Sequence, residues 1–339
     1  MKFSAMRRSR LHGAAAALLL AFPAAGPQIP RATPRLPDDD RIRLAEVRRL
    51  ANAVQDSVWP GWGAAPFAVL LVTDSVEFLV WHPRPSADFQ PAGYDSLLGA
   101  DVLARPRSHP PDVLATFPAV GGVPTIVVGQ PARTGKPSTA WVLTLLHEHF
   151  HQLQMSRPGY FAAVDALQLS HGDQSGMWML TYPFPYDSGS IQRYFAGLAE
   201  VLLRTALADS GPPTADALRA YGRMRRALGV ELAPADLRYL DFQLWQEGVA
   251  RYIEYASARV AARSYTPSPA FAALPDFVPY GDAARALRAQ LVRELRLVDL
   301  GFNKRVTFYP IGAARALLLE RTAPGWKERY FTHLFTLDP

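Results

Sequence analysis

One short segment of the chain contains residues that could bind a metal ion. Residues 145–154 include His147, Glu148 and His151 in the pattern His-Glu-x-x-His. On an α-helix, residues four apart lie on one face, so both imidazoles can reach the same ion. Glu148 lies about 100° further round the helix, where its carboxylate can contact a water molecule on that ion without being a ligand. The pattern predicts a hydrolytic zinc site in which Glu148 is the general base.

The flanking residues favour the helix that this pattern requires. Ser138 or Thr139 is a suitable N-cap, and neither proline nor glycine interrupts residues 140–157. Burying three histidines on an apolar helix would be costly without a metal ion or hydrogen-bond partners. The middle one, His149, points about 180° away from the other two. We therefore expect His149 to pack or to form hydrogen bonds inside the fold.

A third ligand must come from another part of the chain, because catalytic zinc usually has three protein ligands. Glu247 is the best candidate, since it is a lone acid in an apolar part of a predicted long helix. Gly248 follows it, and its missing side chain would let another backbone come close. Glu200 is the rival, although Arg204 four residues later explains it as a surface ion pair. His171 or an aspartate is a further alternative.

Two supporting roles also have candidates. Glu254 lies two turns after Glu247 on the same helix face, where it could orient a ligand histidine or pair with Arg251. Peptide hydrolysis also needs a donor for the developing oxyanion, and Tyr309 is favoured because it lies in a compact break before a predicted helix. The other candidates for this donor are Tyr252, Tyr280, His171 and His333.

The composition indicates an exported protein without thiol chemistry. Residues 1–26 have a basic start, a short apolar run and a small-residue cleavage site, which is typical of a bacterial secretory signal peptide. Removing them takes away four of the 36 basic residues and none of the 30 acidic ones, which leaves a net charge of +2. There is no cysteine, which excludes thiolate metal sites and disulfides. We expect a periplasmic or secreted protein that inserts in no membrane after cleavage and binds no nucleic acid.

The patterning predicts an α+β fold in which a small twisted sheet precedes a mainly helical lobe. We expect a proline-rich linker at residues 27–40, a lobe with the sheet at 41–135 and a helical lobe with the zinc-site helices at 136–339. The predicted strands are 67–73, 76–81, 100–103 and 124–128, with an irregular proline-rich stretch between the last two. The predicted helices outside the metal segment are 41–58, 191–209, 215–228, 234–263, 283–297 and 312–321, and residues 156–185 form a long loop.

The strand nearest the metal helix in sequence, residues 125–128, has two interpretations. It could be an edge strand that holds an extended peptide substrate by β-augmentation, or it could be an ordinary core strand.

These motifs resemble the gluzincins, zinc metallopeptidases that include thermolysin-like and aminopeptidase-N-like enzymes. The resemblance rests on His147-Glu148-x-x-His151 and Glu247-Gly248-x-Ala250, and on an ending that contains Tyr309-Pro310-Ile311-Gly312 and Pro324-Gly325-Trp326. It implies a zincin-like metallopeptidase domain that binds one zinc ion through His147, His151 and Glu247. It also implies that Glu148 is the base and that the substrate is a peptide or protein.

Two other functions are compatible with the same residues. One is a periplasmic binding or scaffold domain that keeps the peptidase fold without turnover, although an intact Glu148 has no use in a purely structural site. The other is a zinc hydrolase of non-peptide amides. The sequence leaves the oligomeric state and the choice between endo- and exopeptidase open.

Overall fold

A six-stranded mixed sheet forms one layer of the protein. The computed structural model describes residues 33–208 and 211–337. The strands are β1 (Val69–Val72), β2 (Val76–Val80), β3 (Gln90–Asp95), β4 (Ala100–Pro106), β5 (Leu114–Val120) and β6 (Val123–Gly129). They lie in the order β3-β4-β2-β1-β6-β5. β1 and β6 are parallel, and the other neighbouring pairs are antiparallel.

Helices form most of the rest of the described chain. They are α1 (Asp38–Val58), α2 (Pro131–Thr134), α3 (Ser138–Met155), α4 (Tyr160–Ala166), α5 (Trp178–Thr181), α6 (Gly189–Thr205), α7 (Ala215–Glu231), α8 (Pro234–Gln243), α9 (Val249–Ser264), α10 (Pro269–Ala272), α11 (Tyr280–Arg296), α12 (Leu300–Asn303), α13 (Phe308–Thr322) and α14 (Trp326–Arg329). A π-helical segment, Leu244–Gly248, joins α8 to α9, and 3-10 turns occupy Trp62–Ala64 and Lys304–Thr307.

Alternate side chains of the central strands point to opposite faces of the sheet, and both of these faces are buried. Val69 and Leu71 of β1 face the large core that the sheet shares with the helices. Leu70 and Val72 face a smaller cluster on the other side, which Phe89 helps to cover. The apolar composition of β1 follows from this double burial.

Helix α3 is fixed against the sheet by polar side chains as well as by apolar packing. The indole of Trp141 donates to the carbonyl of Gly129 at 2.9 Å, and the amide of Gln152 donates to two backbone carbonyls at 2.9 Å. At its start, the carboxylate of Asp276 accepts from the backbone N–H of Ser138 at 2.8 Å. The predicted cap is thus wrong: the N-cap residue is Pro137, and a distant aspartate satisfies the helix end instead.

The predicted α+β class is confirmed, but both edge strands were missed. β3 and β5 lie at the two ends of the sheet and contain Pro91 and Pro118. The segment of β5 was predicted to be irregular, and no strand was predicted for residues 90–95. Proline is tolerated at an edge, because its missing N–H would face solvent there. Of the two interpretations of residues 125–128, the structure supports the core strand, since β6 lies between β1 and β5.

The limits of the predicted segments also differ from the structure. α1 begins at Asp38, so the last three residues of the predicted linker are helical. The expected loop at residues 156–185 contains the short helices α4 and α5. The described residues from Pro34 onward form one compact unit that includes the sheet and the helices, while the predicted signal peptide and residues 27–32 of the linker lie outside the described residues. In the described part of the chain, no helix has the length and apolar character needed to cross a bilayer.

Candidate metal centre

Three side chains that lie far apart in the sequence converge in the interior. Nε2 of His147 and Nε2 of His151 lie 3.1 Å apart on one face of α3. One carboxylate oxygen of Glu247, Oε2, lies 3.5 Å from the first of these atoms and 3.4 Å from the second. All three side chains are largely buried, so the cluster could hold a metal ion.

The donor set fits a zinc ion. Two ring nitrogens 3.1 Å apart must share a proton or a metal ion between them, because two facing lone pairs would repel each other. Glu148, Glu247 and Glu254 all add negative charge around His147. A divalent cation would neutralise this buried excess, and two imidazoles with one carboxylate are common zinc ligands.

Glu247 reaches the cluster from a local break in helix geometry. It belongs to the π-helical segment Leu244–Gly248, and π segments of this kind often occur at functional sites. A Cβ on Gly248 would lie 2.4 Å from the Cα of Gly312. The two glycines therefore let the π segment and α13 pack backbone against backbone, as was predicted for Gly248. Although burial opposes it, the neighbouring His151 and His147 hold the pKa of Glu247 well below its usual range.

The second nitrogen of His147 lies next to the carboxylate predicted to orient it. Nδ1 is 3.0 Å from Oε1 of Glu254, although the ring is not turned into a well-formed hydrogen bond. Arg251 holds the other oxygen of Glu254 at 2.5 Å, so the predicted ion pair is present, while the orienting role of Glu254 remains a prediction. Burial disfavours charge on His147, but the nearby carboxylates of Glu247 and Glu254 prevail and raise its pKa to about 10.

A glutamine orients the other histidine. Nδ1 of His151 donates to Oε1 of Gln154 at 2.6 Å, which leaves the Nε2 lone pair directed at the cluster. The amide of Gln154 donates in turn to the hydroxyl of Tyr330 at 2.6 Å and to the carbonyl of Gln246 at 3.1 Å. This glutamine was not predicted, although its place three residues after His151 is a signal that sequence alone could have supplied.

The proposed base is held by the edge strand β5. Glu148 is buried, and the hydroxyl of Thr116 lies 2.8 Å from its Oε2 and 3.0 Å from its backbone oxygen. Thr116 was not predicted, because the strand that carries it was not recognised. The strand next to the metal helix that has a free edge is therefore β5.

Tyr309 lies at the site, as predicted. Its ring stacks near that of His147, with 6.3 Å between the ring centroids. Arg305 donates from Nη1 to the hydroxyl of Tyr309 at 2.8 Å. Burial, and next the charge of Glu247, raise the pKa of Tyr309 well above its usual value, so the phenol remains a hydrogen-bond donor.

His149 faces away from the cluster, as predicted. Its Nδ1 donates to Oε1 of Gln152 at 2.9 Å, and its Nε2 lies 3.2 Å from Oε1 of Gln55. The ring stacks on Trp62 at 5.2 Å. Burial lowers the pKa of His149 to about 3, which keeps the ring neutral.

The remaining candidates lie elsewhere in the described structure. Glu200 is exposed and pairs with Arg204 at 3.2 Å, so it is a surface residue and not the third ligand. The alternative donors are also placed away from the cluster: Tyr252 donates to Glu320, Tyr280 contacts Glu46, and His171 and His333 are exposed.

In comparisons with known proteins, no protein-family model, no curated protein and no solved structure matches the chain.

Proposed function

We propose that the protein is a zinc-dependent metallopeptidase with a zincin-like domain. In this proposal His147, His151 and Glu247 bind one zinc ion, and Glu148 is the general base. The observation that carries the proposal is the buried convergence of two imidazoles and a carboxylate from separate helices, with a further carboxylate on the adjacent position of α3.

The protein's own residues suit hydrolysis of an amide bond. A bound zinc ion supplies Lewis acidity and lowers the pKa of a coordinated water to about 7. Glu148 accepts a proton from the attacking water and delivers it to the leaving amine. The hydroxyl of Thr116, 2.8 Å from Oε2, holds that oxygen, so we expect Oε1 to carry the proton.

Tyr309 is the group best placed to donate a hydrogen bond to the oxyanion. Its ring lies beside His147, and its hydroxyl oxygen already accepts from Arg305. In this structure the phenol also forms a hydrogen bond with Glu247. When Glu247 binds the zinc ion, the phenolic proton can turn to a substrate oxygen, and such a donor can contribute several kcal/mol of transition-state stabilisation.

Export and the peptide substrate belong to the same proposal. Residues 1–26 support export by their composition alone. The free edge of β5 supports a peptide substrate, because an extended chain can pair with an edge strand beside Glu148.

The decisive experiment is Glu148→Gln in the chain that begins at residue 27. We expect the variant to keep about one zinc per chain, measured by plasma mass spectrometry, and to lose at least about 100-fold in cleavage of a mixed peptide library. The matched control is Glu200→Gln, which removes an exposed carboxylate at a distance from the cluster. It should change neither zinc content nor cleavage.

Three other outcomes would change the proposal in different ways. Zinc binding by the wild-type chain without cleavage of any peptide would favour a scaffold domain or a hydrolase of non-peptide amides, which amide substrates from cell-wall material would then separate. Near-normal cleavage by Glu148→Gln would refute the assignment of the base. Absence of metal after zinc is supplied would refute the site itself.

A further inference from the structure

One arginine next to the cluster has no acidic partner. Arg305 lies in the 3-10 turn Lys304–Thr307 and is half-buried. Its Nη1 donates to the hydroxyl of Tyr309, and its guanidinium lies 5.6 Å from that ring. Among the described residues no carboxylate forms an ion pair with it, although its charge acts on Glu247 and Tyr239.

Arg251 shows what a structural arginine at this site looks like. It pairs with Glu254 at 2.5 Å and with Glu294 at 3.5 Å, so its charge is fully compensated. Arg305 has only a neutral phenol. The acid whose charge acts on Arg305 is Glu247, which is a proposed metal ligand, so the guanidinium keeps donors that an anion from outside the chain can use.

The remaining donors of Arg305 are free to bind such a partner. A guanidinium presents five N–H groups in a planar fork that matches a carboxylate, and only Nη1 is engaged within the described structure. Its other nitrogens are not among the buried polar atoms that lack a partner, so they remain within reach of solvent.

The position of Arg305 sets the distance between the anion and the reacting bond. The guanidinium lies 5.6 Å from the ring of Tyr309, and that ring lies 6.3 Å from the ring of His147. The guanidinium is therefore within about 12 Å of His147, and an extended peptide spans about 3.3–3.6 Å per residue. An anionic group bound by Arg305 would lie within about three residues of the scissile bond.

We propose that Arg305 recognises the substrate by binding a carboxylate that lies within about three residues of the bond to be cleaved. This inference rests on the proposed peptidase function and names its substrate class. The carboxylate can be the C-terminus of a short peptide or an acidic side chain, and both present the same group to the guanidinium.

The test uses random peptides of six residues, made once with free C-terminal carboxylates and once as C-terminal amides. Each set is also made without aspartate and glutamate, and cleavage is read by mass spectrometry. We expect the zinc-loaded chain to cleave the carboxylate-bearing peptides about 10- to 100-fold faster than peptides without any carboxylate. Arg305→Gln should reduce this ratio to near one, Arg305→Lys should keep part of it, and the exposed Arg204→Gln should leave it unchanged.

The four peptide sets distinguish the source of the carboxylate. A preference that persists without acidic side chains identifies the C-terminus, and a preference for acidic amides identifies a side chain. Equal cleavage of all sets, or an unchanged ratio in Arg305→Gln, would overturn the inference while leaving the peptidase function intact.

A second measurement is independent of catalysis. In Glu148→Gln, phenylglyoxal labelling of Arg305 is followed by mass spectrometry in the presence of each peptide set. Peptides with a carboxylate should protect Arg305 at least several-fold better than peptides without one, and equal protection would again refute the inference. This measurement also applies if no peptide is cleaved, or if Arg305→Gln does not fold.

Discussion

The two faces of helix α3 carry the same residue type in opposite surroundings. On one face, His147 and His151 lie against the carboxylates of Glu247 and Glu254. There, the nearby carboxylates of these acids outweigh burial and raise the pKa of His147 to about 10. On the other face, His149 lies among amides and aromatic rings, where burial lowers its pKa to about 3.

The local hydrogen bonding of the two faces is nevertheless the same. His149 donates to Gln152, and His151 donates to Gln154, in both cases from Nδ1 to a glutamine three residues later. What differs is the group opposite Nε2, which is the amide of Gln55 on one face and a carboxylate on the other. The comparison teaches that partners from distant segments, and not the local sequence, decide which histidines can bind a metal.

Replacing one histidine on each face with alanine should give the largest difference in zinc affinity. We expect His147→Ala to lose at least about 1,000-fold in zinc affinity, because loss of a ligand should exceed the 10- to 100-fold cost of losing an orienting partner. His149→Ala should keep zinc affinity within a few-fold and lose about 2–3 kcal/mol of stability, since the buried oxygen of Gln152 loses its donor and the ring leaves a cavity.

Chelator competition measures the first effect, and urea unfolding of the metal-free chain measures the second. If His149→Ala loses zinc while it remains folded, the two faces are not functionally distinct. His149→Gln, which keeps an amide in place of the ring, serves the same purpose if the alanine variant does not fold.

Zinc binding on the face of α3 that carries His147 should also depend on the close backbone contact that positions Glu247. In Gly248→Ala the new Cβ would lie 2.4 Å from the Cα of Gly312, and neither backbone can move without shifting the π segment. We expect a loss of about 3 kcal/mol in the free energy of unfolding and weaker zinc binding.

Gly229→Ala in α7 is the matched control, because its Cβ would meet only a flexible leucine methyl at 3.7 Å. That change should be neutral or stabilise the protein by about 0.5–1 kcal/mol. Both values come from urea unfolding with and without zinc. Equal stability of the two variants would show that the close approach at Gly248 does not matter.

The sequence alone was sufficient for the parts of the site that depend on helical periodicity. The pattern around His147 and His151 and the lone acid Glu247 are local signals, and the structure brings these three residues together. The sequence could not show the π-helical segment that delivers Glu247, because this local change in helix geometry accompanies packing against α13. The resemblance to gluzincins remains a prediction.

The residues that sequence reasoning missed belong to partners whose position depends on the tertiary fold. Thr116 lies on β5, where Pro118 and a shift in register hide the strand pattern. Asp276 caps α3 from a segment far along the chain. Arg305 precedes Tyr309 by four residues, yet only the structure shows that no carboxylate in the described chain pairs with it.

The paired glutamines offer a finer test of the two faces. Gln154→Leu removes the acceptor that holds His151 and should weaken zinc binding about 10- to 100-fold. Gln152→Leu removes the equivalent acceptor from His149 and should leave zinc affinity unchanged while it reduces stability, since this amide also bonds two backbone carbonyls. Titration with a fluorescent zinc chelator compares the variants. An equal effect of both substitutions on zinc affinity would contradict the separation of the faces.

The smallest expected effect concerns Glu148, which lies between the two faces. Thr116→Val keeps the shape of the side chain and removes the hydroxyl that lies 2.8 Å from the Glu148 carboxylate. A hydrogen bond to a charged group contributes about 1.5–3 kcal/mol in a buried site. Without the hydroxyl, the Glu148 carboxylate can still accept a proton, so only part of this energy is lost from the transition state. We therefore expect kcat/KM for peptide cleavage to fall by about tenfold with unchanged zinc content. Thr116→Ser retains the hydroxyl and should stay within about twofold of wild type. Loss of zinc in Thr116→Val would instead mean that β5 also positions the metal ligands, so that the base and the ligands would not be held independently.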